Sequence, residues 1–180
     1  MTAFLFKQAT GRNILTFLAL YIAMVAFVMV PAQKFMETHA GGTGPLDLQM
    51  FYTADKALDM LGHYDATVRA FYRNIELGAD LAYPLIYTLF FGLLWLFLLR
   101  RAFSATHVLQ RLWFVPFVGF FFDLLENACI VILLGQAPDF SGTTVALVAV
   151  FSGLKWTFAL ASIGLVVLGL VAWLIRVVRK

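Results

Sequence analysis

Residues 112–134 read LWFVPFVGFFFDLLENACIVILL, a stretch that is long and apolar enough to cross a membrane yet carries acids near its middle. The polar group consists of Asp123, Glu126 and Asn127. A carboxylate at the centre of a bilayer costs at least roughly 2.5–3.5 kcal/mol on insertion scales. Two acids within one helical turn therefore predict polar partners, protonation or a water-filled cavity at this depth.

The composition indicates an integral membrane protein. Of the 180 residues, 62% are hydrophobic and only 13% are charged, which is far from the averages of soluble domains. The chain has the size of one domain, so we treat residues 1–180 as a single membrane domain. The formal net charge of +3 does not predict a nucleic-acid partner, because the basic residues flank apolar segments. Cys129 is the only cysteine, so an intrachain disulfide is excluded.

Four segments have the length and apolarity of membrane spans, and they predict an all-α fold, a four-transmembrane-helix bundle. The first ends at Pro31 and resembles a signal peptide, but we expect it to be retained as a signal anchor. The fourth is longer than one span requires, so it must tilt or project beyond the membrane. The four spans are residues 14–31, 81–99, 112–134 and 143–175.

The basic residues in the short flanks of the four spans all fall on the same side of the membrane. Because positive charge favours the cytoplasmic side, both termini are expected in the cytoplasm of a bacterium, with the chain in the inner (plasma) membrane. Residues 32–80 then form a small extracytoplasmic helical cap. Thr53 and Asp65 can each cap a short helix there. From Ala66 the helical pattern runs into the second span with no strong break before Pro84.

Helical spacing predicts that polar residues from three spans face one interior. We expect an outward-opening cavity in which two arginines meet an anionic headgroup at the mouth. An acid and a lysine form a gate pair below, and the remaining polar residues line the floor. In that order the candidate ligand-binding residues are Arg69 and Arg73, then Asp80 and Lys155, then Asp123, Glu126, Asn127 and Tyr87, with Glu76 on the same stripe as the arginines.

Several other chemistries lack their sequence signatures. The histidines His39, His63 and His107 lie outside the spans, so a transmembrane haem is not expected. The sequence has no Glu-x-x-His pair for a di-iron bundle, no P-loop, no Gly-x-Ser-x-Gly turn and no zinc-ligand spacing. Asp80, Asp123 and Glu126 could hold a hard cation, but no dense carboxylate loop supports one. We therefore expect neither a metal nor a cofactor.

Two parts of the sequence resemble a family of uncharacterised bacterial four-span membrane proteins. The first part runs from Tyr64 to Pro84 and includes Arg69 and Arg73. The second part is the FDLLEN segment of residues 122–127, and Lys155-Trp156 follows in the last span. The resemblance implies the four-span architecture and the choice of polar residues. It implies no activity.

These observations leave more than one role open. The first is binding of a membrane lipid or other amphiphilic molecule, or of a membrane protein partner, at the polar site. The second is a membrane enzyme in which Glu126 or Asp123 serves as acid or base on a lipid-soluble substrate. The third is an accessory subunit of a larger complex, and a homo-oligomer is compatible with each role. Plain structural pairing between helices is the competing interpretation of the same polar residues.

Overall fold

A computed structural model describes residues 2–179, and every regular element in that range is a helix. This confirms the all-α prediction. Short 3₁₀ turns at Leu46–Leu48 and Val108–Leu112 lie between the longer elements. The α-helices are α1 Thr2–Gln8, α2 Gly11–Met24, α3 Val30–His39, α4 Ala54–Gly62, α5 Ala66–Leu77, α6 Ala79–Ala102, α7 Val115–Gln136 and α8 Gly142–Val178.

Four continuous helical stretches are long and apolar enough to cross a membrane, as the sequence predicted. They are Gly11–His39, Ala79–Ala102, Val108–Gln136 and Gly142–Val178. The protein is therefore a multi-pass membrane protein. At about 1.5 Å per residue, the 37 residues of α8 extend roughly 55 Å, well beyond a hydrocarbon core of about 30 Å.

The first span does not end at Pro31. A π-helical turn, Val25–Met29, joins α2 to α3, and helical structure continues to His39. Proline in a helix clashes with the carbonyl four residues earlier and donates no hydrogen bond. A wider π turn immediately before Pro31 relieves this conflict, because the N–H of Val30 bonds to the carbonyl five residues back, at Val25. The predicted stop is thus a local widening of one long helix.

The helix that leads into the second span is broken at Gly78, where the sequence predicted continuity. Gly78 adopts φ −118° and ψ −88°, which lies outside helical geometry and separates α5 from α6. A glycine with exposed backbone interrupts a helix readily because it has the greatest conformational freedom. The single polar stripe expected from Arg69 to Tyr87 is consequently split between two helices. Pro84 lies inside α6 without ending it.

The segment between the first two spans folds over one end of the bundle, which we call the capped end. Thr53 accepts a hydrogen bond from the N–H of Lys56, and Asp65 accepts one from Val68, so both predicted N-caps are present. Helix α4 contacts α8, and α5 contacts α7. Gly41 and Gly42, at φ +59° and +90°, form the turn that follows α3.

Two apolar clusters form the core, and polar residues occupy the level between them along α6, α7 and α8. The cluster at the capped end includes Tyr64, Tyr72 and Ile130. The other cluster, toward the opposite end, includes Trp95 and Leu98. Apolar side chains therefore lie on both sides of the polar layer along the helices. That layer consists mainly of Asp80, Asp123, Glu126, Asn127 and Lys155.

Close approach of α6 and α8 depends on Gly169. A Cβ at this position would lie 3.0 Å from the Cβ of Leu98 and 3.2 Å from Cζ3 of Trp95, neither of which is the free end of a flexible chain. Gly164 lies on the same helix with no neighbour within 4 Å of the corresponding position. The two glycines therefore form a matched pair.

We expect Gly169→Ala to lower the stability of the detergent-solubilised protein by roughly 1–3 kcal/mol, because it overpacks the α6–α8 contact. Gly164→Ala is expected to leave stability unchanged or to raise it by about 0.5–1 kcal/mol through helix propensity. Thermal unfolding midpoints of both variants test this. Equal midpoints for the two would contradict the packing assigned to Gly169.

Candidate functional site

A buried lysine lies at the centre of the polar layer. Nζ of Lys155, from α8, lies 2.5 Å from Oε2 of Glu126 and 3.7 Å from Oδ1 of Asp123, both on α7. The Lys155 side chain is 9% exposed and that of Glu126 is fully buried. Removing such charges from water is costly unless they are paired, so the three side chains fix α7 against α8. The sequence-based gate pair of Asp80 with Lys155 is replaced by these contacts.

Lys155 also binds a loop that enters the bundle. Its Nζ donates a hydrogen bond of 2.8 Å to the carbonyl oxygen of Asp47. We call residues 45–52 the inserted segment, because it passes between the cap and the polar layer. Leu46 and Asp47 are both buried there. The chain between the first two spans thus contributes directly to the site.

Tyr72 of α5 holds this segment in position. Its hydroxyl accepts hydrogen bonds from the N–H groups of Leu46 (3.1 Å) and Asp47 (3.2 Å), and it donates to Oδ1 of Asp47 at 2.5 Å. Burial, reinforced by the charges of Asp47 and Glu76, raises the pKa of Tyr72 well above its ordinary value. The phenol therefore keeps its proton and remains a donor to the carboxylate.

Tyr52 closes the polar layer from the same segment. Its hydroxyl donates to Oε1 of Glu126 at 3.1 Å and lies 3.4 Å from the carbonyl oxygen of Val148. The preceding residue, Phe51, has φ +52°, a left-handed conformation that is uncommon for a bulky side chain. Phe51 is exposed and Tyr52 is buried, so the chain turns sharply between them. Burial and the charge of Glu126 raise the pKa of Tyr52, which keeps its hydroxyl protonated.

Two further pairs connect α6 to α7. The Tyr87 hydroxyl donates to Oδ2 of Asp123. Asn127 donates through Nδ2 to both the carbonyl oxygen and Oδ2 of Asp80, at 2.9 Å each. These contacts join the acids of the second and third spans, which the sequence placed on facing helices. The amide of Asn127 reaches an acid with which Lys155 forms no salt bridge, and the phenol of Tyr87 adds a neutral donor to Asp123, which Lys155 also pairs.

A separate acidic cluster forms where the inserted segment meets α5 and α6. One carboxylate oxygen from each of Asp47, Glu76 and Asp80 lies within 4.8 Å of the others, and all three side chains are buried. Burial raises the pKa of Glu76 well above its ordinary value, and the charges of Asp47 and Asp80 add to the effect. The site as a whole therefore contains more acid than base.

A cavity of about 180 Å³ opens beside these residues. At one end it meets carboxylates and the lysine, and at the other it meets aromatic and aliphatic side chains. Ile163, at the apolar end, is 44% exposed on the surface that faces the membrane interior. The cavity is lined by Tyr21, Asp47, Leu48, Asp80, Tyr83, Tyr87, Phe91, Asp123, Lys155, Trp156, Ala159 and Ile163.

A smaller cavity of about 40 Å³ continues the apolar end along α6 and α8. It shares Tyr87, Phe91, Ala159 and Ile163 with the first and reaches Pro116 of α7. Together the two cavities form a path from buried charge toward the lipid-facing surface.

The structure distributes the predicted site residues unevenly. Asp80, Tyr87, Asp123 and Lys155 line the large cavity. Glu126 pairs with Lys155, and Asn127 donates to Asp80, so both bind residues that line the cavity. Glu76 belongs to the acidic cluster.

The two arginines do not join this group. Arg69 donates to the carbonyl oxygen of Tyr64 at 2.6 Å, and Arg73 is exposed on α5. Neither belongs to the described lining of the cavity. Gly78 separates α5 from α6, so a face continuous in sequence is not continuous in space.

The sequence-based prediction missed several site residues. Asp47 and Tyr52 lie between the α-helices, in a short 3₁₀ turn and the loop after it, where periodicity gives no indication of which side chains turn inward. Tyr21 and Tyr83 carry no charge and read as ordinary interfacial aromatics. The only available signal was Tyr72, a phenol on the apolar face of an amphipathic helix, where a buried hydroxyl requires a partner.

Comparisons with protein-family models, with curated proteins and with solved structures gave no match to this chain.

We expect Lys155→Met to destabilise the protein by roughly 3–5 kcal/mol, because it leaves Glu126 and Asp123 buried without a cation. Thermal unfolding in detergent measures the loss. The double variant Lys155→Met/Glu126→Gln should recover part of it, since the uncompensated charge is removed.

Lys56→Met is the matched control. Lys56 pairs with Asp59 at 2.9 Å, but both side chains are more than half exposed, so the substitution is expected to change the midpoint little. If Lys155→Met behaves like Lys56→Met, the buried ion pair does not hold α7 and α8 together.

Proposed function

We propose that the protein binds an amphiphilic molecule, with the polar head group at the buried charges and the apolar part along α6 and α8. One observation carries the proposal. A single cavity joins buried Asp47, Asp80, Asp123 and Lys155 to an apolar end at a membrane-facing residue, Ile163. Ligand sites in proteins typically combine an apolar wall with a few convergent polar groups in this way.

The charges in the cavity favour a head group that donates hydrogen bonds. Three carboxylates line the wall against one ammonium group, and that ammonium is already paired with Glu126 and Asp123. Ionised carboxylates accept hydrogen bonds and do not donate them. A head group with hydroxyl or amino groups therefore matches the wall better than the anionic headgroup expected from Arg69 and Arg73, which lie elsewhere.

The dimensions fit a head group with a chain that leaves the cavity. A volume of about 180 Å³ is small beside the roughly 300–1,000 Å³ of drug-sized sites. The adjoining apolar cavity at Pro116 and Ser162 gives a chain a direction to follow. The remainder of such a molecule would lie among the membrane lipids.

Ala159 allows this proposal to be tested without altering any charge. It lies in the wall of both cavities. Ala161, two residues further along α8, is exposed on the bundle surface. The same substitution at the two positions fills the cavity in one case and adds bulk toward lipid in the other.

We expect native mass spectrometry of gently extracted wild-type protein to show a bound lipid-sized mass. Ala159→Leu should lose it because the side chain occupies the apolar wall, and Ala161→Leu should keep it. Equal retention by all three proteins, or a wild type without any bound mass, would contradict binding in this cavity.

A second candidate function is acid–base catalysis on the bound molecule. Asp123 and Tyr87 are hydrogen-bonded to each other and both line the cavity. Such a pair can exchange a proton with a molecule in contact with it. Glu126, the other acid expected from the sequence, does not belong to the described lining and would act only through Lys155 or Tyr52.

Asp123→Asn separates the two functions. If the protein only binds, we expect the variant to carry the same bound mass as the wild type or none. If it converts the molecule, the variant should accumulate an unconverted substrate of different mass, which the same spectra report.

We also propose that the protein lies in the bacterial inner membrane with both termini in the cytoplasm. Arg100 donates to the carbonyl of Phe6, and Arg176 donates to the carbonyl of Arg101, so basic segments of α1, α6 and α8 meet at the end opposite the cap. Positive charge at one end of a bundle favours the cytoplasmic side.

Cysteine labelling of intact cells tests this orientation. We expect Asp59→Cys in α4 to react with a membrane-impermeant maleimide and Ser104→Cys, in the exposed loop after α6, to be protected. Cys129 is buried and should give little background. The reverse labelling pattern would show that the termini lie on the opposite side of the membrane.

A further inference from the structure

The acidic cluster of Asp47, Glu76 and Asp80 brings three buried carboxylates from different elements close together. Its members come from three different elements: the inserted segment, α5 and α6. Their relative exposures are 5%, 1% and 3%. One oxygen of each carboxylate lies within 4.8 Å of the other two. Like charges buried at this separation repel strongly unless a positive charge or protons intervene.

Glu76 is the member without a partner. Asp47 accepts a hydrogen bond from Tyr72, and Asp80 accepts one from Asn127. Neither Oε1 nor Oε2 of Glu76 has a hydrogen-bond partner within the described part of the chain, although the side chain is almost completely buried. A protonated carboxyl donates one hydrogen bond and accepts others, so a proton alone leaves its polar atoms unpartnered. A buried polar group in this state requires an explanation, and a bound ion is one.

Within residues 2–179, no basic side chain forms a salt bridge to this cluster. Lys155 pairs with Glu126 and Asp123, and it donates a hydrogen bond to the backbone carbonyl oxygen of Asp47 without reaching the carboxylates of the cluster. Arg69 binds the carbonyl of Tyr64. The three acids therefore have no direct ion pair within the described part of the chain.

The same three acids line a small cavity of about 10 Å³. A void of this size is close to the lower limit for one water molecule, and it is also the scale of one metal ion. Gln33, Met36, Tyr72 and Ile75 complete part of its wall. The Gln33 amide donates to Glu37 and the Tyr72 hydroxyl donates to Asp47, so neither gives a hydrogen bond to Glu76.

We propose that Asp47, Glu76 and Asp80 bind one hard divalent cation of the size of Ca²⁺. Carboxylate oxygen is the preferred ligand of Ca²⁺ and Mg²⁺. Ca²⁺ binds oxygen at about 2.3–2.6 Å, so oxygens up to roughly 4.8 Å apart can ligate it from opposite sides; Mg²⁺ requires about 2.0–2.1 Å and a tighter group. The ion would bind directly to the three acids, with which no basic side chain of residues 2–179 forms a salt bridge.

This site goes beyond the proposed binding of an amphiphile, and it shares Asp47 and Asp80 with the wall of that cavity. It also departs from the expectation of no metal, because the sequence suggested Asp80 with Asp123 and Glu126. Those two acids are held by Lys155, whereas Asp47 and Glu76 approach Asp80 only through the inserted segment and the break at Gly78. Since Asp47 and Asp80 also line the large cavity, water can reach the ion from that side.

Calcium titration of the full chain tests the proposal. Protein in mild detergent, treated with a chelator and desalted, is titrated with CaCl₂ in a calorimeter. We expect one Ca²⁺ per chain and a higher thermal unfolding midpoint with Ca²⁺. Glu76→Gln keeps the shape of the side chain but removes its charge, and it should weaken binding at least roughly tenfold and abolish the shift in midpoint.

Asp59→Asn is the matched control, because it removes an exposed carboxylate of α4 whose partner is Lys56. It should bind Ca²⁺ as the wild type does. Asp47→Asn and Asp80→Asn provide independent tests should Glu76→Gln fail to fold, and each is expected to weaken binding.

Three results would overturn the proposal. The first is a wild type that gives neither heat nor a shift in midpoint up to about 1 mM Ca²⁺, the range of weak natural sites. The second is undiminished binding in Glu76→Gln, which would place the ion elsewhere. The third is tighter binding of Mg²⁺ than of Ca²⁺, which would contradict the size assigned from the oxygen separations.

Discussion

The interior of this bundle depends on one constraint: a buried ammonium group must be paired. Lys155 meets this requirement with Glu126 and Asp123 of α7 and with the backbone of Asp47. A charge in an apolar interior tolerates little displacement from its partners. Its attraction to them is strong there, and only that attraction offsets the free-energy cost of removing the charge from water. The rotation of α7 against α8 and the path of the inserted segment are both fixed by this contact.

Neutral hydrogen-bond donors stabilise the carboxylates of the site in addition to Lys155. Tyr72 and Asn127 reach carboxylates with which Lys155 forms no salt bridge, and Tyr87 adds a donor to Asp123 beside the lysine. Each of these contacts joins elements that are distant in the chain. Phenols suit this role because their rings pack in apolar surroundings while the hydroxyl reaches a polar partner. Glu76 stands apart from this scheme, since it is buried with both oxygens unpartnered.

Local features were predictable because they depend on short stretches of sequence. The four spans follow from apolar length, and the caps at Thr53 and Asp65 follow from side chains that satisfy free N–H groups. Two predictions based on single residues were wrong. Pro31 does not end its helix because a π turn accommodates it, and the helix expected to pass through Gly78 is broken there. In both cases neighbouring geometry, which periodicity does not register, decided whether the helix continued.

The sequence by itself determined that charged side chains lie within the membrane and on which spans they lie, because the cost of burying them makes each one conspicuous among apolar neighbours. The tertiary structure decided their partners. Lys155 could have met Asp80 at the same depth, yet the rotation of the helices brings it to Glu126. Only the fold revealed Asp47 and Tyr52 as site residues, because their positions depend on the path of a loop that has no period.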